Sequence, residues 1–443
     1  MSTSERARRH LVPHFTSYTA WESEALPVLV RGEGAWVWDE HGTRYLDGLS
    51  GLFCVNLGHG RSDLAAVAAK QMETLAFAST WGYVHPPAVE AAELIASLAP
   101  GDLDRVFFVN SGAEAVESAL KLARTFHLAN GEPQRTKVIA REWAYHGVTL
   151  GGLAATGVPK VKEPYAPMLG DFVLRAPNTH DRGLAGAADL EALILEAGPE
   201  NVSMVLAEPV QNGGGALVPP DGYWQQLREI CDRYGVLLCA DEVINAYGRL
   251  GHWFASSRFG VVPDLITFAK GVTSAYVPLG GVVARGQLLD TIAASPSRTF
   301  VHGATFGSHP VATAVAVANL EAMRDEHVLD NVLDREAGLR SRLDGLAAAH
   351  SCVREVRGAG FFYALELADG GHELTDDQHA ALRGGLLGRW VREARLLIRP
   401  DDRGATMLVV APPLISDDGV LDELAAGLDQ VLTRTDDWLS TGR

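Results

Sequence analysis

Cysteine is scarce in this chain. Cys54, Cys231, Cys239 and Cys352 are the 4 present among 443 residues, with no Cys-x-x-Cys pair and no histidine cluster at zinc spacing. That excludes a disulfide-stapled scaffold or a zinc module and favours buried, reduced thiols. No apolar run approaches the ~18 residues of a membrane-spanning helix. Basic runs are also missing: Lys+Arg number 38 against 55 Asp+Glu, for a formal charge of −17, which argues against a nucleic-acid groove. There is no Walker A loop and no complete G-x-G-x-x-G, so neither a nucleotide P-loop nor a dinucleotide-binding unit is signalled. Repeats and low-complexity tracts are absent. The first fourteen residues carry Arg6, Arg8 and Arg9 without an apolar segment, which reads as a solvated tail rather than a secretory signal. With the unpaired thiols this gives the expectation of a cytoplasmic protein.

What is there is ordinary for a large globular chain: 47% hydrophobic and 21% charged residues, too apolar for global disorder. Short apolar runs alternate with helical patterns through the middle of the chain, as in βα units with a mostly parallel sheet. Arg105–Asn110, Ser203–Ala207, Val236–Ala240, Leu265–Ala269 and Gly280–Ala284 read as strands. Ala113–Arg124 reads as a helix with Val116, Ala119, Leu120 and Ala123 on one face. Gly222–Tyr234 reads as a helix stopped by Gly235. Beyond Pro310 an Ala/Val-rich helix runs to about Met323 and a charged, Leu-studded one to about Ala349, followed by strand-like pieces at Gly360–Glu366 and Met407–Ala411. The expected organisation is an N-terminal segment (1–59) that joins a C-terminal α+β domain (311–443), around a large α/β domain (60–310).

Three features carry chemistry. Asn110-Ser-Gly-Ala-Glu114 joins a strand to a helix. The unpaired N–H groups and positive dipole end of such a helix start suit an anion, with a plain helix cap as the simpler reading of Ser111. Asp241 ends one apolar strand and Lys270 follows another, at the strand ends where open α/β sheets bind ligands. Adjacent Asp241 and Glu242 would face opposite ways, which argues against a chelating pair. An anion cup, a strand-end acid and a strand-end lysine together suggest a pyridoxal 5′-phosphate site.

Ala240-Asp-Glu-Val-Ile-Asn-Ala-Tyr-Gly-Arg-Leu-Gly251 followed by Pro263-Asp-Leu-Ile-Thr-Phe-Ala-Lys-Gly271 closely resembles the signature of the class III pyridoxal-phosphate aminotransferases. The resemblance extends through Asn110–Glu114, Tyr145-His-Gly147, Ala207-Glu-Pro209 and Gly303–Pro310, back to Tyr45–Asn56 and forward to Ala411–Leu414. It implies fold type I, the aspartate-aminotransferase-like α/β architecture. It further implies that Lys270 holds the cofactor as a Schiff base and then shuttles the proton, and that Asp241 keeps the pyridine nitrogen protonated. Ser111, Gly112 and Ala113 match the phosphate cup, Tyr145 the ring-stacking aromatic beside His146, and Glu208 and Val243 positions flanking the cofactor. Glu208 reads equally as a strand-end acid in a structural ion pair. Thr305 matches the residue that reaches the phosphate of a neighbouring subunit, which implies a homodimer with shared sites and leaves a tetramer of paired dimers open. Its alternative is to cap the helix near Pro310.

Within the family the chain looks most like ω-aminotransferases that move an amino group from a primary amine or ω-amino acid to pyruvate or a similar keto acid. An aminomutase, racemase or decarboxylase of the same class, or an aminotransferase dedicated to one biosynthetic substrate, is the alternative. Phe53, Trp81, Tyr145 and Ile244 fall where relatives line the substrate pocket, with Gly213 opposite. Phe53 in place of tryptophan and the bare Gly213 imply room for a bulky amine. Such enzymes use a mobile arginine whose fork pairs with carboxylate. The Leu-Leu-Ile-Arg399 context points to Arg399, with Arg403 four residues on as the other candidate.

Overall fold

The computed structural model describes residues 1–16, 18–23, 26–401 and 403–441. An antiparallel N-terminal sheet comes first, of β1 (Leu29–Glu33), β2 (Trp36–Asp39) and β3 (Arg44–Leu46). The central sheet holds β4 (Leu103–Val109), β5 (Lys137–Arg141), β6 (Val173–Ala176), β7 (Val202–Ala207), β8 (Leu237–Asp241), β9 (Leu265–Phe268) and β10 (Gly280–Arg285), in the order β4-β10-β9-β8-β7-β5-β6. The pairs among β6, β5, β7, β8 and β9 are parallel, whereas β10 runs antiparallel to both β9 and β4. This is the mostly parallel α/β sheet expected, with one reversed strand inserted.

The sheet is covered on both faces, and the sequence shows why. Its central strands β7, β8 and β9 are buried at every position and apolar at nearly all of them, the pattern of parallel strands covered on both sides. Successive side chains then divide between two cores. Val138, Ala140, Met204, Leu206, Leu237, Cys239 and Leu265 pack with Val116, Ala119 and Ala123 of the helix Gly112–Ala129. Ile139, Val205, Leu238, Ala240 and Ile266 pack on the opposite side with Leu190, Trp224 and Leu227. Glycines bracket the helix Tyr223–Tyr234, with Gly222 at φ 85° and Gly235 at φ 63°; only glycine takes such left-handed values without strain.

The C-terminal part forms a second antiparallel sheet, of β11 (Val353–Ala359), β12 (Phe362–Leu367), β13 (Arg399–Asp401) and β14 (Met407–Val410), in the order β11-β12-β14-β13. The long helix Asp418–Thr441 buries Leu421, Leu424, Leu428, Val431 and Leu432 at three- and four-residue spacings. The N-terminal sheet ties into this part: the N–H of Leu46 donates to the Arg395 carbonyl at 2.9 Å, and that of Leu397 to the Leu46 carbonyl at 2.8 Å.

Arg249 joins the chain's regions around the future site. Buried, it donates to the carbonyls of Phe361 (3.0 Å) and Pro412 (2.6 Å), to Ser50 Oγ (3.0 Å) and to Asn56 Oδ1 (3.0 Å). The turn it fastens, Ser50–Phe53, has φ of 51° at Ser50, 64° at Gly51 and 62° at Phe53. Thr305 is exposed and is not the cap of the helix near Pro310. The helix Pro310–Asp325 is capped by His309, whose ring accepts from the Val311 N–H at 3.2 Å, because Pro310 already holds the first helical position.

Candidate active site

The alternation of side chains along the sheet decides what meets at its carboxyl edge. Leu237 and Cys239 face the helix Gly112–Ala129, so the next residue of that parity, Asp241, faces it too. The same count along β7 carries Glu208 to that face, and along β9 it carries Thr267. Glu242 has the opposite parity and turns away. Its carboxylate accepts from the N–H of Ala255 and from the N–H (2.9 Å) and hydroxyl of Ser256, so it pins the next short helix and takes no part in the crevice.

Asp241 is buried and its two oxygens have separate partners. Oδ1 accepts from Thr267 Oγ1 at 2.9 Å and from the Val243 N–H at 3.2 Å, while Oδ2 lies 2.6 Å from His146 Nδ1. A carboxylate beside Nδ1 places the ring proton there. Thr267 and Asp241 are register partners on β9 and β8. Glu208 accepts from the Tyr145 N–H at 3.0 Å through Oε1 and from the Asn212 N–H at 2.9 Å through Oε2. Among the described residues its partners are therefore backbone N–H groups, not the ion pair of the structural alternative. Burial pushes its carboxyl above the ordinary range.

Lys270 follows β9 with a left-handed φ of 49°, and Ser274 and Ala275 are left-handed too, at 46° and 64°. Non-glycine residues held there concentrate strain on the lysine segment. Desolvation pushes the Lys270 amine below its ordinary value, opposed by the nearby carboxylates of Asp241 and Glu208.

The helix start completes the constellation. Ser111 is the N-cap, its Oγ accepting from the Glu114 N–H at 3.3 Å, so the simple cap reading holds alongside any ligand role. Gly112 is required by space: a Cβ there would stand 2.6 Å from Val243 Cγ1. The same holds at Gly147, at φ 100°, where a Cβ would stand 2.8 Å from the Ala113 Cβ.

Ser111, Gly112, Ala113, Tyr145, His146, Glu208, Asp241, Val243, Ile244 and Lys270 line one crevice of about 390 Å³. Of the expected pocket residues, Tyr145 and Ile244 are there. Phe53 is not among its lining residues: it is 2% exposed and packs edge-on against Phe362 at 5.4 Å. Leu52, on the twisted turn beside it, lines the crevice instead. Gly213 opens no space, because a Cβ on it would run into the Trp143 carbonyl oxygen; the glycine serves close backbone packing. Trp81 is 67% exposed and lines a separate surface cavity with His302 and Gly303.

The two arginine candidates separate clearly. Arg403 is buried, its guanidinium 5.4 Å from the centre of the Tyr145 ring. Asp401 pairs with it through Nε at 2.9 and 3.0 Å and also through Nη2, and Nη2 donates to Asn212 Oδ1 at 3.1 Å. Arg399 lies on β13, 3.4 Å from the same Asp401 carboxylate. Thr267, Leu52 and Asn212 had no signal in the linear sequence; Thr267 becomes visible only once β8 and β9 are paired.

The donor set fits a phosphorylated pyridine aldehyde. The helix start offers N–H groups where no side chain fits, Asp241 offers a fixed carboxylate to a ring nitrogen, and Lys270 offers an amine.

Residues 17–432 match the family model described as Aminotransferase class-III. The chain is 44% identical to a probable aminotransferase of Mycobacterium tuberculosis, over 96% of this chain and 93% of the relative. It is 37% identical to the putrescine–pyruvate aminotransferase of Pseudomonas aeruginosa, over 97% and 95%. Among solved structures, the ω-transaminase of Pseudomonas jessenii in complex with PMP superposes with a TM-score of 0.93 at 29% identity, covering 100% of both chains.

Gly112→Ala is expected to weaken pyridoxal 5′-phosphate binding about tenfold, since overpacking a tight site costs about 1–3 kcal/mol. Val243→Ala in the same chain should restore most of the affinity. Titration of the apoenzyme with the cofactor, followed by visible absorbance, checks both.

Proposed function

The chain is a class-III aminotransferase, and on that premise we propose that it moves an amino group from a primary amine or ω-amino acid to pyruvate or a similar keto acid in two half-reactions. The observation that carries this reading is a single crevice lined by Lys270, Asp241 and Tyr145, with the Arg403 guanidinium buried behind it, 5.4 Å from the centre of the Tyr145 ring. Pyridoxal 5′-phosphate, when bound, supplies a carbonyl that takes up and gives back the amino group and a ring that draws electrons from the reacting carbon.

The chain's own groups do the rest. The N–H groups at the start of the helix Gly112–Ala129 would hold the phosphate. Asp241, kept in place by Thr267 and His146, would hold a proton at the ring nitrogen. Lys270, shifted toward its free-base form by desolvation, takes a proton from the substrate carbon and returns it. Tyr145 would cover the ring, and Ile244 and Leu52, which line the same crevice, would shield the reacting atoms from water.

Arg403 is the carboxylate partner in this reading. Its planar fork suits a keto acid, and Asp401 gives it a resting partner when an apolar amine substituent occupies the same space. Arg399 stands beside Asp401 and would share that carboxylate when Arg403 engages substrate.

Two copies forming a homodimer, with Thr305 reaching the neighbouring phosphate, is the accompanying reading. Exposed Thr305 sits among Val301, 88% exposed, Phe306, 58%, and Trp81, 67%, an apolar surface of the kind that covers itself by pairing. The four cysteines are unpaired, which suits the cytoplasm.

Incubated with α-methylbenzylamine and pyruvate, the holoenzyme should form alanine and the ketone with parallel double-reciprocal lines. Arg403→Ala should raise the KM for pyruvate at least about tenfold, the loss of one charge-assisted pair, with a much smaller change for the amine. Arg399→Ala should not separate the two substrates. Failure to form alanine from any amine would sink the proposed function. Sedimentation should give the mass of two copies or a multiple of two, and a monomeric holoenzyme would contradict the shared site.

A further inference from the structure

The segment that steadies Arg403 is itself one of the least constrained by sequence. Gly213-Gly214-Gly215 offers no side chains, and Gly214, Gly215 and Ala216 are all left-handed, at φ 86°, 88° and 47°. Glycine runs lose more backbone freedom on ordering than other residues, so something outside the run must fix it. Arg403 depends on the result: the Gly214 N–H donates to the Arg403 carbonyl at 2.6 Å, and Asn212 Oδ1 accepts from Arg403 Nη2 at 3.1 Å.

Gln211 Nε2 holds the Gly213 carbonyl at 3.0 Å, and the next two carbonyls are held by a second buried arginine, from the other sheet. Arg357, on β11 and 7% exposed, donates from Nε to the Gly215 carbonyl at 3.1 Å and from Nη2 to the Gly214 carbonyl at 2.9 Å. Its remaining nitrogen, Nη1, meets Glu355 at 2.6 Å and also Glu366. All three nitrogens of the guanidinium are thus engaged, which makes the fork a rigid clamp and not a solvated charge. Gly215 leaves no room for a side chain, since a Cβ on it would meet Met407 Sδ and stand 3.1 Å from Arg357 Nη2.

We propose that Arg357 is a positioning residue for carboxylate recognition: through the Gly214 and Gly215 carbonyls it sets the loop that orients Arg403 over Tyr145. It touches neither substrate nor cofactor and acts through Arg403 alone, so the inference rests on Arg403 being the carboxylate partner. The effect falls on substrates that carry a carboxylate at that end of the crevice, and spares amines whose substituent is apolar.

A double-mutant cycle on the holoenzyme tests it. Arg357→Gln is expected to raise the KM for pyruvate about tenfold, with kcat and the KM for α-methylbenzylamine within about twofold of the parent. Added to Arg403→Ala, it should raise the pyruvate KM no further, because the group it orients is gone. A rise equal for both substrates, a matching loss of kcat, or effects that multiply in the double variant would overturn the inference and leave Arg357 a general support. If Arg403→Ala itself leaves the pyruvate KM unchanged, the underlying reading fails; if it raises it while Arg357→Gln does not, only this inference fails. Should Arg357→Gln not yield folded protein, Arg357→Lys, which keeps the charge and loses the fork, carries the same cycle with a smaller rise expected.

Discussion

The buried carboxylate of Asp241 is the constraint around which this site is arranged. A carboxylate out of water is costly unless hydrogen-bonded, and here Thr267, the Val243 N–H and His146 supply the bonds. Each partner fixes something else. Thr267 can reach it only because β8 and β9 pair in that register. Val243 closes on Gly112 and so limits the helix start to a residue without a side chain. His146 stands next to Tyr145, whose N–H is taken by Glu208. Moving Asp241 would therefore disturb the helix start at Gly112, Tyr145 and the strand that leads to Lys270 together.

Arg403, the proposed carboxylate partner, is held by a different device. It is buried against Asp401 rather than waiting in solvent, so on that proposal a keto acid would compete with an internal partner. Burying the pair costs desolvation that the short contacts offset, and it would leave no bare charge beside an apolar substrate. Arg399 beside the same carboxylate would make the exchange less costly, because Asp401 would keep a partner when Arg403 turned to substrate. The glycine run and Arg357 supply the fixed side of this arrangement.

That the main site residues converge on one crevice was legible in the sequence because they end apolar strands, where position along the chain gives position in space. Asp241, Lys270 and the Ser111–Ala113 turn are of that kind, and the opposed directions of Asp241 and Glu242 follow from strand parity alone. The helix read as Ala113–Arg124 runs from Gly112 to Ala129, since its later turns carry charge on the solvent side without a stop signal. Lys137–Arg141 and Val173–Ala176 gave no strand signal of their own, being short and flanked by charge; the sheet around them makes them strands. Pocket residues on loops were the least legible. Whether Leu52 or Phe53 faces the crevice depends on left-handed residues in the turn, and no linear pattern encodes that Gly213 abuts a carbonyl. What distinguishes Arg399 from Arg403 is likewise their contacts with Asp401 and Asn212, the latter far away in sequence.

The most direct test of the account is the visible spectrum of the purified holoenzyme, recorded first alone, then with α-methylbenzylamine, then with pyruvate. The account predicts a cofactor band in the visible that bleaches with the amine and returns with the keto acid, and that is absent from Lys270→Ala as isolated. A band that ignores the amine and answers only to an amino acid would contradict the proposed substrate class, and a chain that never takes up pyridoxal 5′-phosphate would contradict the site itself.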